Sequence, residues 1–307
     1  MKFLSVFIFL GFLLASELCA GYGTSDTGTT GSVFLKLAPG ARPAAMGEAY
    51  APLADDVYSV YFNPAGLNYI SEGEISFMHS FWFQGINYSY LAYARPSDFA
   101  RGSLGAAVTY LNYGSISRIT DAGERKGDFT PYDLAVALSY ARTLYGVDTG
   151  LTLKYIHQKI YDKQGSALAV DFGLRGRMLD DKLDLGFSFA NLGSEMELDK
   201  NSHKLPFLMR LGAGYHLTEN LSGAVQMNIP NDNDAGIHIG SEYTFGVISG
   251  VPVSVRAGYK TNSALDGLSE FSFGFGVSRD NIIFDYAASP YGKLGLAHRI
   301  SLSFKGF

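Results

Sequence analysis

The sequence predicts an all-β protein: a 14-stranded antiparallel transmembrane β-barrel with a short N-terminal helical plug in its lumen. Three observations predict it. From residue 74 onward, apolar residues alternate with small polar ones, segment after segment. The connections between these segments alternate short and long along the chain. Ahead of them lies one stretch, Phe34 to Leu67, that is Ala-rich, helical in pattern and never repeated.

The alternation places strands over 74–82, 85–95, 102–113, 132–144, 146–159, 166–178, 182–192, 206–217, 220–229, 235–245, 251–260, 268–279, 281–288 and 295–305. In one, Leu183, Leu185, Phe187 and Phe189 share a face, and Asp184, Gly186, Ser188 and Ala190 share the other. In the last, Ile300, Leu302 and Phe304 oppose Arg299, Ser301, Ser303 and Lys305. About ten residues rising ~3.4 Å each and tilted about 40° give an apolar band of roughly 25 Å, the height of a membrane barrel. A soluble sandwich would charge its outer faces, whereas here only 17% of residues are charged and the polar faces are mostly Gly, Ser, Ala and Thr. Tight connections such as Asp180-Asp181, Glu219-Asn220 and Asp280-Asn281 alternate with longer ones at 114–131, 193–205 and 261–267. The rule is imperfect at the first hairpin, where the connection near Phe83-Gln84 is short. Phe307 is an aromatic last residue, one position out of phase, with Gly306 as a site for a bulge.

Residues 1–20 read as a signal peptide: Lys2, an apolar run from Phe3 to Ala15 too short to span a membrane, then small residues ending at Ala20. Cleavage there removes Cys19, the one cysteine, and with it any thiol or disulfide chemistry. Lipidation of Cys19 is the rival reading, and Glu17-Leu18 before it fit that poorly. Residues 21–33 form a Gly/Thr/Ser linker, 34–72 the plug segment and 73–307 the barrel. Within the plug, Pro43 starts a helix expected to run through Ala44, Ala45, Met46, Glu48 and Ala49. Asn63 caps a second, with Pro64 in its first turn and Gly66 stopping it or allowing close packing.

These residues also carry a resemblance. Phe34-Leu35-Lys36-Leu37, Gly40-Ala41-Arg42, Ala45-Met46-Gly47-Glu48-Ala49 and Asn63-Pro64-Ala65-Gly66-Leu67 resemble the N-terminal signature of the PorV/PorQ family of outer-membrane barrels (FadL-like, UPF0164-type). Weaker echoes follow at Asp171-Phe172-Gly173-Leu174, Arg256-Ala257-Gly258-Tyr259 and Phe273-Gly274-Phe275-Gly276. The resemblance implies residence in the outer membrane and a plug that gates passage of hydrophobic molecules. In the PorV branch it implies instead a type IX secretion accessory that docks secreted proteins, although the outer loops here are shorter than that role suggests.

Two groups of candidate residues result. The plug and hinge group is Gly40, Arg42, Met46, Gly47, Glu48, Asn63, Pro64, Ala65 and Gly66, whose plain alternative is a helix cap and packing element. The lumen-facing charges are Lys154, Asp171, Arg175, Arg210, Glu242, Arg256, Glu270, Asp285 and Arg299. They either pair across the wall or hold the plug through Glu48, Asp55 or Asp56. Partners are outer-membrane lipid and hydrophobic small molecules or secreted proteins. The net charge of -5, with no basic cluster, argues against nucleic acid. No cofactor, metal or catalytic residue is expected. The six His are scattered, and Asn231-Asp232-Asn233-Asp234 lacks the Gly and distant Glu of a calcium loop. A lipid hydrolase is the remote third reading.

Overall fold

The computed structural model describes residues 23–246, 251–261 and 268–306. The expected signal peptide and Phe307 lie outside them. Fourteen strands close into an antiparallel barrel. They are β1 (Glu74–Phe81), β2 (Asn87–Ser97), β3 (Gly102–Asn112), β4 (Tyr132–Leu144), β5 (Val147–Ile160), β6 (Lys163–Met178) and β7 (Leu183–Gly193). Then come β8 (Leu208–Thr218), β9 (Leu221–Pro230), β10 (Gly236–Gly246), β11 (Pro252–Lys260), β12 (Phe271–Arg279), β13 (Ile282–Pro290) and β14 (Leu296–Lys305). Each pairs with its chain neighbour, and β1 closes on β14 with Glu74 opposite Lys305 and Phe81 opposite His298. Ladder pairing thus runs right round the sheet, with register shifts at Val170/Phe172 and His216/Thr218, and satisfies the backbone without water as a lipid setting requires. Two outer connections, expected as plain loops, carry small hairpins: Ile116–Ile119 with Arg125–Phe129, and Met196–Leu198 with Asn201–His203. Apart from buried Met196, their residues are exposed or half-buried, so period two had no continuous buried face to mark.

The alternation resolves as an apolar outside and a small, polar inside. Phe77, Leu91, Leu138, Leu153, Val225, Ile239, Phe273 and Leu302 point outward and are exposed, whereas Ser76, Ala92, Ala107, Ala137, Thr152 and Ser301 are buried within. The register pairs rows of such inner residues across strands: Ser139 with Thr152, and Gly258 with Gly240 and Ser272. Small inner side chains leave a lumen, and residues 34–70 occupy it. Met46, Ala49, Tyr50, Val57, Phe62 and Leu67 are each no more than 1% exposed, buried against the wall.

Inside that segment a 3-10 turn (Val33–Lys36) leads to helix α1 (Ala41–Ala45), helix α2 (Ser59–Phe62) and a 3-10 turn over Pro64–Tyr69. The expected helix through Ala49 stops four residues early. Gly47 takes φ 62, and the Gly47 and Glu48 amides bond back to the carbonyls of Ala44 (3.2 Å) and Pro43 (2.9 Å). That is a Schellman end, and it overrides the helix propensity of the following residues. At the second start Asn63 caps as expected: its side chain accepts from the Ala65 amide at 3.2 Å, with Pro64 in the first turn. Gly66 packs so closely that an added Cβ would meet the Ala54 carbonyl.

The segment runs the length of the barrel. At the long-loop mouth, the Thr30 hydroxyl donates to Asp232 at 2.6 Å and the Gly31 amide to the Lys204 carbonyl at 2.9 Å. At the short-turn end, Asn68 donates to Asp148 at 3.0 Å, six residues before the sheet resumes with Glu74 of β1.

The lipid-facing assignment of β5 has a measurable consequence. Leu153→Arg, at mid-strand on the outer face, lowers unfolding stability in lipid vesicles by about 2–4 kcal/mol. Lys159→Arg, near the end of the same strand and on the same face, leaves it within about 0.5 kcal/mol.

Candidate lumen site: a segment bonded to its wall

Three kinds of contact bind the inner segment to the sheet. The first is close backbone approach. A Cβ at Gly258 of β11 would fall on the backbone of Gly47, one at Gly240 of β10 on Met46, and one at Gly150 of β5 on Pro64. These wall glycines are the space the segment needs.

The second is a set of neutral hydrogen bonds to the segment's own backbone. The Gln226 carbonyl oxygen accepts from the amides of Tyr50 (3.1 Å) and Ala51 (2.8 Å), while its amide donates to the Glu48 carbonyl at 3.2 Å. Ser272 accepts from the Gly47 amide (3.1 Å) and donates to the Ala45 carbonyl (3.2 Å). His238 meets the Gly47 carbonyl through Nδ1 at 2.6 Å, which sets that nitrogen as the protonated one. Fully buried Asn63 is the counterpart from the segment side. Its amide donates to the carbonyls of Ala51 (3.2 Å) and, on β6, Leu174 (3.0 Å).

The third is ionic. Arg42 grips Glu242 of β10 with two parallel bonds of 3.0 and 2.9 Å. Its remaining nitrogen reaches Asp55 (2.6 Å), Tyr50 (2.8 Å) and Asp56 (3.3 Å). Glu242 is shared with Arg256, which pairs onward with Asp285 at 2.6 Å. A chain of alternating charge therefore runs from the segment through three wall strands. Glu48 makes a separate pair with Lys260 at 2.8 Å. Burial pushes the Glu48 carboxyl up, but the Lys260 ammonium, together with His238 and Arg299, more than offsets this and holds it at about 2.

The candidate charges thus divide. Arg42, Glu48, Glu242, Arg256 and Asp285 lie along these bridges. Arg175 donates to the Ala54 carbonyl, pairs with Asp184 at 3.0 Å and covers the Tyr69 ring at 3.8 Å. Arg210 points at the Phe62 carbonyl (3.4 Å) and lies over the Tyr61 ring at 5.1 Å. Lys154 and Asp171 pair with each other at 2.6 Å, with Lys154 also on Asn191. Arg299 is buried on the inner face of β14. Glu270 is not a lumen charge. It lies in the turn ahead of β12, outside the alternation, and bonds the hydroxyl of Tyr259 on the outward side of β11. Gln226, His238, Lys260 and Ser272 are contacts that a search restricted to signature motifs and charged pairs passes over. The signal for them is a polar residue on the inner phase of an otherwise apolar strand, as with Gln226 between Val225 and Met227.

Above the segment, at the long-loop mouth, a vestibule of about 610 Å³ opens. Val33, Leu35, Phe207 and Pro230 give it apolar walls, and Glu48 and Lys260 sit among its polar groups. Beneath Leu35 a second, apolar cavity of about 20 Å³ borders Tyr88 and Tyr90. No group of three or more metal-binding side chains occurs among the described residues.

The family model described as an uncharacterised protein family, UPF0164, matches residues 19–216. The chain belongs to UPF0164. Among curated proteins, none matches it in sequence. Solved structures similar to this UPF0164 barrel include the Ralstonia pickettii toluene transporter TbuX, 11% identical with a TM-score of 0.59 over 88% of this chain and 98% of that one. The Pseudomonas putida toluene transporter TodX is similar at 10% identity and a TM-score of 0.57, over 86% of this chain and 96% of that one. A Pseudomonas aeruginosa FadL homologue is similar at 10% identity and a TM-score of 0.53, over 85% and 95%. These likenesses establish a FadL-like barrel fold for the UPF0164 chain.

Two outcomes are expected. Arg42→Met leaves Glu242 and Asp56 short of a partner, and hydrogen exchange of residues 41–62 speeds by the equivalent of roughly 2–4 kcal/mol while wall amides hold their protection. Because Glu48 is depressed in the folded state, its contribution is present above the ordinary carboxylate value of 4.5 and is lost as pH falls toward about 2. Glu48→Gln removes that part of the acid dependence from pH-titrated melting curves.

Proposed function

We propose that this protein resides in the outer membrane, exported by a cleaved signal peptide, and admits small hydrophobic molecules through a barrel gated by residues 34–70. The observation that carries the reading is the vestibule. It is an apolar-walled space open at the long-loop mouth, and its floor is a segment held to the wall by hydrogen bonds and ion pairs and joined covalently to the sheet only at its far end, through Gly73. Small apolar ligands are held in such concave sites by surface burial, with a few polar groups setting orientation. The transport of toluene by the structurally similar TbuX and TodX supports the choice of cargo. The Ser222 hydroxyl does meet His216 Nδ1 at 2.8 Å, and His216 Nε2 meets Asp184 at 2.9 Å, but this trio lies at the short-turn end, away from the apolar vestibule, so passage rather than reaction is the reading proposed.

Under this reading Asn63 and Gly66 form the hinge, since Asn63 joins Ala51 of the segment to Leu174 of the wall. In vesicles carrying the purified barrel, toluene uptake exceeds that of empty vesicles. Asn63→Ala and Arg256→Glu each raise leakage of small solutes as the segment loosens. Normally assembled variants with wild-type permeability would sink the gating role.

A second reading, docking of secreted proteins in the manner of the PorV branch, draws on the projecting hairpin over Ile116–Phe129, where Ile116 and Ile119 are exposed. Deleting residues 115–130 abolishes co-purification of exported proteins if that reading holds and leaves toluene uptake intact if it does not.

A further inference from the structure

One charge on the inner wall has no bonded partner among the described residues. Arg299 is 2% exposed, and among the described residues no hydrogen bond or ion pair engages its guanidinium. Its Nε is enclosed without a partner. The other buried arginines of the lumen differ: Arg175 has Asp184, Arg256 has Glu242 and Asp285, and Arg210 has the Phe62 carbonyl. The ionised groups that feel the field of Arg299 are Glu48 and Lys260, and Glu48 is committed to Lys260 at 2.8 Å. Among the described residues, this corner of the lumen therefore holds one positive charge in excess.

Two polar groups on and just past β1 are unpartnered as well. Ser80 stands directly opposite Arg299 in the β1–β14 register, fully buried, with its hydroxyl unpartnered. Two residues further on, the Trp82 indole N–H is also buried and unpartnered. An isolated buried cation is costly unless an anion or a set of acceptors meets it. Here, among the described residues, no carboxylate is in contact with the guanidinium and the Ser80 hydroxyl makes no bond to it.

We propose that Arg299 and Ser80 bind a compact monovalent anion, of the size of chloride or formate, against the inner face of the barrel. Such an ion accepts from both groups at once and cancels the excess charge beside the Glu48–Lys260 pair. Arg299 is 2% exposed and Ser80 is fully buried, an enclosure that favours a compact ion over the head of a long-chain acid. The site shares no residue with the lining of the vestibule and stands whether or not the barrel transports anything.

The test is a crystal structure of the full barrel grown in sodium bromide, with data collected at the bromine edge. The expected result is one anomalous peak within about 3.5 Å of the Arg299 guanidinium and the Ser80 hydroxyl. Density there without anomalous signal, or a peak that persists in Arg299→Met, overturns the proposal. Melting in detergent gives an independent reading at fixed ionic strength. Formate or bromide raises the wild-type Tm above that in gluconate, which is too large to enter, because a ligand of the folded state stabilises it. Arg299→Met loses the difference between salts, and Ser80→Ala needs a several-fold higher anion concentration for half the effect. A wild-type Tm that ranks the salts equally, or that rises only with a longer-chain acid such as octanoate, rejects the compact anion.

Discussion

A closed sheet of 14 strands must satisfy its backbone without water, and it does so by pairing all the way round, β1 to β14. Closure at that strand number encloses more space than inner rows of Gly, Ala and Ser can fill. The protein meets this with its own chain. Because the filling is backbone as much as side chain, its amides and carbonyls need partners from the wall. This is why Gln226, Ser272, Ser188 and His238 each spend a polar group on a main-chain atom of residues 45–62. The wall glycines serve the same end by letting that backbone come close enough to be bonded.

The ionic contacts add orientation to this filling. Glu242 lies between Arg42 of the segment and Arg256 of β11, so one carboxylate fixes both the position of α1 and the spacing of two wall strands. Removing either arginine leaves the other in place but unbalances the carboxylate they share. The Glu48–Lys260 pair secures the turn that ends α1, where Glu48 itself sits at φ 65, a conformation a non-glycine residue adopts only when its surroundings hold it. Segment and sheet are best regarded as one electrostatic unit.

Much of this was legible in the sequence. Period two, the long and short connections and the small inner faces were enough for the architecture. The strand ends expected from them lie within three residues of the observed ones, and over 132–144 they coincide. The Asn63-Pro64 cap was legible because capping is local chemistry. The end of α1 was missed because a Gly in an Ala-rich run can be read as a weak helical residue or as a Schellman end, and only the bonds to Pro43 and Ala44 decide. Glu270 was misplaced because period two was extended past the end of its strand. Partners across the lumen, such as Lys260 for Glu48, lie 212 residues apart, and no local pattern records them.

The inner segment is fastened at both ends, to Asp232 and Lys204 at the long-loop mouth and through Gly73 to β1 at the other. A chain so placed is threaded through the barrel rather than laid over it. The seam between β1 and β14 is therefore the last gap through which the thread can be admitted sideways. Assembly has an order: residues 34–70 reach the wall before the seam closes, or they must be drawn lengthwise through a finished cylinder.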